Sequence, residues 1–195
     1  SLLDHTGIVK VFDVGEAPDG RAFIVMEHLI GEPLDARLRR VRLNEHQVVT
    51  FSRQLASALE AAHAAGVVHR DLKPENVIVV ADADVPGGER VKLLDFGIAK
   101  RDGQDNTDTG VVLGTPAYMS PEQFRGDRDL DPRADIYSLG VVIYVMATGT
   151  QPFVGANTSE LCAEHAYCAA APAATVAVVS TDLSAIIDRC LGKRP

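Results

Sequence analysis

The chain has 195 residues, 46% of them apolar, enough for one full core or a core with a small lobe. Twenty-seven acids against 19 bases leave a net charge of −8, which argues against a nucleic-acid surface, since that would want a basic stripe. Most of the bases are Arg, a bias that suits phosphate or carboxylate contacts and follows equally from GC-rich coding.

Residues 8–14 (IVKVFDV) and 21–27 (RAFIVME) are strand-like runs joined by Pro18, Asp19 and Gly20, which predicts a hairpin. Asn44 followed by Gln47 reads as a helix-start capping pair. Apolar residues then recur at Val48, Phe51, Leu55, Leu59, Ala62 and Ala65 before Gly66, an amphipathic helix of about six turns. Val77–Val80 and Val91–Leu94 predict a second short hairpin around Pro86, Gly87 and Gly88. Residues 98–119 have no period and read as a mobile loop. From Asp135 to Thr148 the chain is apolar nearly all round, the mark of a helix buried on every side. The last quarter is Ala-rich with a helix pattern over Leu183–Leu191. Its most apolar stretch, AYCAAAPAATVAVV, is short and broken by Pro172, so no membrane span is expected. Cys162, Cys168 and Cys190 lack metal-ligand spacing and read as buried, reduced thiols of a cytoplasmic domain.

One loop concentrates chemistry. In VVHRDLKPENVIVV, residues 67–80, His69, Arg70, Asp71, Lys73, Glu75 and Asn76 lie between two β-branched runs. Burying such groups unpaired would cost several kcal/mol each, so they should be partnered or working. Asp95 follows at the end of a second apolar strand. Two acids and an amide at adjacent hairpin ends form an oxygen-rich cluster suited to Mg²⁺, and Lys73 adds a charge able to meet a phosphate. Together they supply what phosphoryl transfer needs: an oriented hydroxyl, a held metal and neutralised charge.

HRDLKPEN, DFG, GTPAYMSPEQ and DIYSLGV, in that order, resemble the protein kinase superfamily, and specifically bacterial Hanks-type serine/threonine kinases. The resemblance implies an α+β, protein-kinase-like fold: a mainly helical C-lobe with a remnant two-stranded N-lobe hairpin. Residues 1–30 would be the N-lobe remnant with the hinge, and 31–195 a C-lobe cut before its final helices. It implies an enzyme that moves the γ-phosphate of ATP to protein Ser/Thr hydroxyls with Mg²⁺ (or Mn²⁺), and a kinase dimer for trans-autophosphorylation.

Carried over, Asp71 is the base, Lys73 contacts the γ-phosphate, and Asn76 and Asp95 hold metal. Phe96 packs beside His69, and Gly97 lets the backbone turn. Asp135 accepts backbone N–H bonds from the catalytic loop, its alternative being a helix N-cap. Met26 is the gatekeeper, the Glu27 carbonyl and Leu29 amide meet adenine, and Ile78 and Leu94 line its floor, with core packing an equal explanation for the last two. Thr107 and Thr109 are activation-loop phosphosites able to pair with Arg70 and Lys100. Thr115 bonds Asp71 and Lys73. Pro121 and Glu122 complete an A-P-E variant with Ser120 in the first place. Nothing before residue 30 matches a glycine-rich phosphate loop, and no V-A-I-K lysine precedes the hairpin. The chain therefore reads as part of a catalytic domain, inactive alone and prone to aggregate, the alternative being a pseudokinase-like binding module.

Overall fold

The computed structural model describes residues 3–96, 116–127 and 129–193. Strands β1 (Val11–Glu16) and β2 (Ala22–Met26) pair antiparallel, from Val11 opposite Met26 to Glu16 opposite Ala22. Gly20, at φ 83°, makes the turn. The first strand begins later than its apolar run. Ile8 and Val9 are buried, and they follow Leu93 instead: Val9 N–H donates to the Leu93 carbonyl at 3.0 Å, and Leu93 N–H to the Gly7 carbonyl at 2.8 Å.

A three-residue strand, β3 (Gly31–Pro33), leads directly into helix α1 (Leu34–Arg40). Neither is apparent in the apolar pattern. β3 edges a three-stranded antiparallel sheet with β4 (Val77–Ala81) and β5 (Glu89–Leu93), so the expected second hairpin gains a third strand. Gly31 permits this pairing, because a Cβ there would stand 2.3 Å from the Val79 carbonyl oxygen.

Helix α2 (Glu45–Ala64) starts at the expected cap. Asn44 Oδ1 accepts from Gln47 N–H at 2.9 Å, and Gln47 Oε1 accepts from Asn44 N–H at 3.1 Å. It buries Val48, Phe51, Leu55, Leu59 and Ala62, whereas Ala65 caps the helix and is exposed. Val77, Val79, Val91 and Leu93 point to the buried face of the β3–β4–β5 sheet, with α2 packed on β5.

A short helix, α3 (Pro121–Phe124), precedes α4 (Arg133–Thr148), which is buried on nearly every side between α2 and α7 (Thr181–Cys190). α4 begins two residues before the apolar run and stops at Gly149, φ 68°, whose N–H reaches the Val145 carbonyl. The Ala-rich stretch forms α5 (Thr158–Tyr167) and the one-turn α6 (Ala173–Val176), interrupted around Pro172. No helix among the described residues is long and apolar enough to cross a membrane.

None of the three cysteines is fully buried. Cys162 and Cys190 are half-covered, and Cys168, at the solvent end of α5, is exposed. The His165 ring, by contrast, is fully buried among Phe124, Tyr137 and Phe153, with centroids 5.4, 5.8 and 4.6 Å away. Its Nδ1 lies 3.0 Å from the Tyr137 hydroxyl, which also accepts from Lys193 Nζ at 3.2 Å. Burial pulls His165 down to about 4 and Lys193 down to about 8.

Candidate active site

The charged loop between α2 and β4 is held by an acid on α4. Asp135 is 1% exposed; its Oδ2 accepts from His69 N–H at 2.8 Å and its Oδ1 from Arg70 N–H at 2.9 Å. His63, near the end of α2, brings Nε2 to 2.7 Å from Asp135 Oδ2. The carboxylate thus ties α2, α4 and the loop together through hydrogen bonds to a charged acceptor, the stronger kind. It is not the N-cap of its helix. Pro132 holds that position, and Asp135 sits in the first turn, where an acid also suits the helix dipole.

Arg70 adopts φ 68°, a left-handed conformation that costs a non-glycine residue roughly 1–2 kcal/mol. Its N–H is occupied by Asp135, and its carbonyl accepts from Gln123 Nε2 at 2.6 Å. The next N–H, of Asp71, donates to His69 Nδ1 at 3.2 Å. With Nδ1 an acceptor, the ring proton resides on Nε2, which donates to the Leu94 carbonyl at 2.8 Å. Burial depresses the His69 pKa, opposed by the Leu94 hydrogen bond and the charges of Asp135, Asp71 and Asp95, so the ring is neutral. Phe96 packs edge-on against it, centroids 4.7 Å apart.

This imidazole joins the loop to the end of β5. Leu94 gives its carbonyl to His69 and its N–H to the Asn76 carbonyl at 2.8 Å. Asp95, the next residue, is exposed and left-handed at φ 52°, a conformation aspartate tolerates better than most residues. The strand ends carrying Asn76 and Asp95 are therefore stitched side by side, and Asp71 is bound to the same ring.

Around Asp71, Lys73 Nζ lies 3.0 Å from Oδ2, and Asn76 Nδ2 donates to the Asp71 carbonyl at 2.9 Å and to Oδ2 at 3.3 Å. Both neighbours fall on one oxygen. Among the described residues Oδ1 accepts no hydrogen bond, which leaves it open to a proton. The same bonds commit the Asn76 amide nitrogen and leave its oxygen as an acceptor. An amide oxygen and a carboxylate carried on these joined strand ends are the hard donors that suit a divalent cation taking its remaining ligands from phosphate and water. Among the described residues, no cluster of three or more His, Cys, Asp or Glu forms an all-protein cage.

The segment after β2 approaches the same region. Lys92, on the outer face of β5, reaches Glu27 Oε1 at 2.5 Å, and Lys10 N–H donates to that oxygen at 2.9 Å. Burial pushes the Glu27 carboxyl up, but these bonds outweigh it and hold it below the usual glutamate value. Glu27 N–H is taken by the Lys10 carbonyl; among the described residues the Glu27 carbonyl and Leu29 N–H bond to nothing. Ile78 stands opposite Lys92 on that outer face. Ile78 and Leu94 are half-buried. Met26, at the end of β2, is 38% exposed.

Glu122 is half-buried in the first turn of α3, and its carboxylate makes no hydrogen bond or ion pair among the described residues. Gly97, Lys100, Thr107, Thr109 and Thr115 lie outside the described residues; of the loop expected over 98–119, residues 116–118 form a single 3₁₀ turn. Sequence reasoning missed His63 and Gln123, whose partners stand 72 and 53 positions away along the chain.

Comparison with known proteins identifies the family. The protein kinase domain family matches residues 1–195. The chain is 46% identical over 171 residues to the serine/threonine-protein kinase pkn3 of Myxococcus xanthus, covering 85% of this chain and 31% of that protein. It is 41% identical to Pkn1 of the same organism, covering all of this chain and 28% of the relative. It is 43% identical to PknA of Mycobacterium tuberculosis, covering 85% and 38%. The chain thus spans about a third of the length of these curated relatives. It belongs to the protein kinase domain family, on the bacterial serine/threonine branch.

Proposed function

We propose that the native gene product is an ATP-dependent protein serine/threonine kinase and that Asp71 is its base. The observation carrying this reading is the asymmetric environment of the Asp71 carboxylate: among the described residues Lys73 and Asn76 share Oδ2, and Oδ1 meets no donor. A carboxylate so held can accept the proton of a Ser or Thr hydroxyl while its second oxygen stays oriented. Lys73, 3.0 Å away, also stands ready to neutralise charge on a transferring phosphoryl group.

Asn76 and Asp95 would hold the divalent metal, Mg²⁺ or Mn²⁺, which when bound bridges and neutralises the nucleotide phosphates. The Glu27 carbonyl and Leu29 N–H, without a partner among the described residues, would meet adenine, with Met26, Ile78 and Leu94 around the ring. On this reading residues 1–30 are the end of a small lobe with the hinge, and residues 31–195 belong to the large lobe. Protein hydroxyls are the substrates. That pkn3, Pkn1 and PknA are each named serine/threonine-protein kinases favours catalysis over a non-catalytic module.

The test is Asp71→Asn in the native gene product. It keeps the side chain's shape and its contact with Asn76 while removing the base. Phosphorylation of a generic Ser/Thr peptide should fall by ~10²-fold or more. Turnover within about tenfold of wild type would remove Asp71 from the role.

A further inference from the structure

Gln123 joins two segments that are 53 positions apart. Its Oε1 accepts from Ser120 N–H at 3.0 Å, which closes the first turn of α3. Its Nε2 donates to the Arg70 carbonyl at 2.6 Å. That carbonyl is one end of the peptide unit whose other end is the Asp71 N–H, and the latter donates to His69 Nδ1 at 3.2 Å.

We propose that Gln123 is a positioning residue for Asp71, pinning the 70–71 peptide so that the carboxylate leaves the backbone in a fixed direction. A peptide unit is planar, so bonds to its oxygen and to its N–H together fix its rotation. The need for a pin is local. Arg70 is left-handed at φ 68°, a conformation that persists in a non-glycine residue only where its surroundings over-determine it. Asp135 holds the Arg70 N–H, His69 the Asp71 N–H, and Gln123 the oxygen between them. A carboxamide suits the position because one end accepts from an N–H while the other donates to a carbonyl. Glutamate has the same length and keeps the Ser120 contact, but turns an oxygen toward the Arg70 oxygen.

The proposal rests on Asp71 being the base, and the experiment separates the two. Wild type, Asp71→Asn, Gln123→Glu and Gln123→Ala are compared in the native gene product with ATP and a Ser/Thr peptide. For Gln123→Glu near pH ~8, kcat should fall ~tenfold or more, with the KM for ATP within about twofold, because the loss is one of alignment. The melting temperature should stay close to wild type, since glutamate still closes the α3 turn. As pH is lowered toward ~6, the ratio of Gln123→Glu to wild-type kcat should rise, because a protonated carboxyl regains a donor for the Arg70 carbonyl. Gln123→Ala, which brings no charge, should lose kcat similarly without recovering in acid, and decides the matter if Gln123→Glu does not fold. If Asp71→Asn remains active or wild type transfers no phosphate, the base assignment fails and this role with it. If Asp71→Asn is dead while the Gln123 variants turn over within twofold of wild type, the positioning role alone is overturned.

Discussion

The β1–β2 and β4–β5 hairpins are built from comparable β-branched runs, yet their side chains end in opposite surroundings. On β4–β5, Val77, Val79, Val91 and Leu93 alternate inward and are buried, with α2 packed on β5 and α1 on β4. On β1–β2, Phe12 is 59% exposed, and Val14, Phe23 and Val25 are exposed too, with no alternation along β1. Burying a Val or Leu side chain contributes about 1.5–3 kcal/mol, so a covered strand is an anchor and an uncovered one is not. The site straddles this divide. Asp71, Asn76 and Asp95 ride on the anchored half, and the segment after β2, proposed to meet adenine, is tethered to it through Gly7–Val9 and the Lys92–Glu27 pair.

The comparison can be broken most forcefully from the covered side. Leu93→Ala should cost about 2–5 kcal/mol in chemical denaturation, because Leu93 is fully buried and its backbone holds both Gly7 and Val9. A loss under about 1 kcal/mol would mean the sheet is not the anchor described.

His165 sharpens the comparison from the helical side. The unfolded chain binds a proton at the ordinary imidazole value near 6.5, whereas the folded site resists until about 4. Its contribution is therefore complete above pH 6.5 and declines as pH falls toward 4, by roughly 3 kcal/mol. Denaturation midpoints across that window should show the decline in wild type and a shallower one in His165→Phe, which has no proton to take up. Parallel curves would assign the acid sensitivity elsewhere.

The smallest effect belongs to the exposed hairpin. Phe12→Ser should change stability by no more than about 0.5 kcal/mol while reducing binding of a hydrophobic dye. A larger loss would show that Phe12 is covered in solution.

What could be read in advance follows the distance over which each feature is determined. The capping pair Asn44–Gln47, the periodic face of α2 and the all-round apolarity of α4 are local patterns, and the corresponding helices are present. Asp71, Lys73 and Asn76 were visible because one short loop carries them at fixed spacing, and Asp95 because it ends the adjoining strand. β3 was not legible: Gly-Glu-Pro has no strand propensity and is recruited by the edge of β4. His63 and Gln123 looked like ordinary polar positions on helices, since the groups they meet arrive only after the chain folds back. Cys168 was misjudged because thiols are usually interior, and the exposed end of α5 overrides that tendency.

The ring at position 69 bridges two main-chain groups of opposite polarity, taking a hydrogen from one and giving its own to the other. The neutral ring, with one bare and one protonated nitrogen, serves both at once. Adding a proton would set two donors face to face across Nδ1, so protonating the ring would strain the loop that carries Asp71.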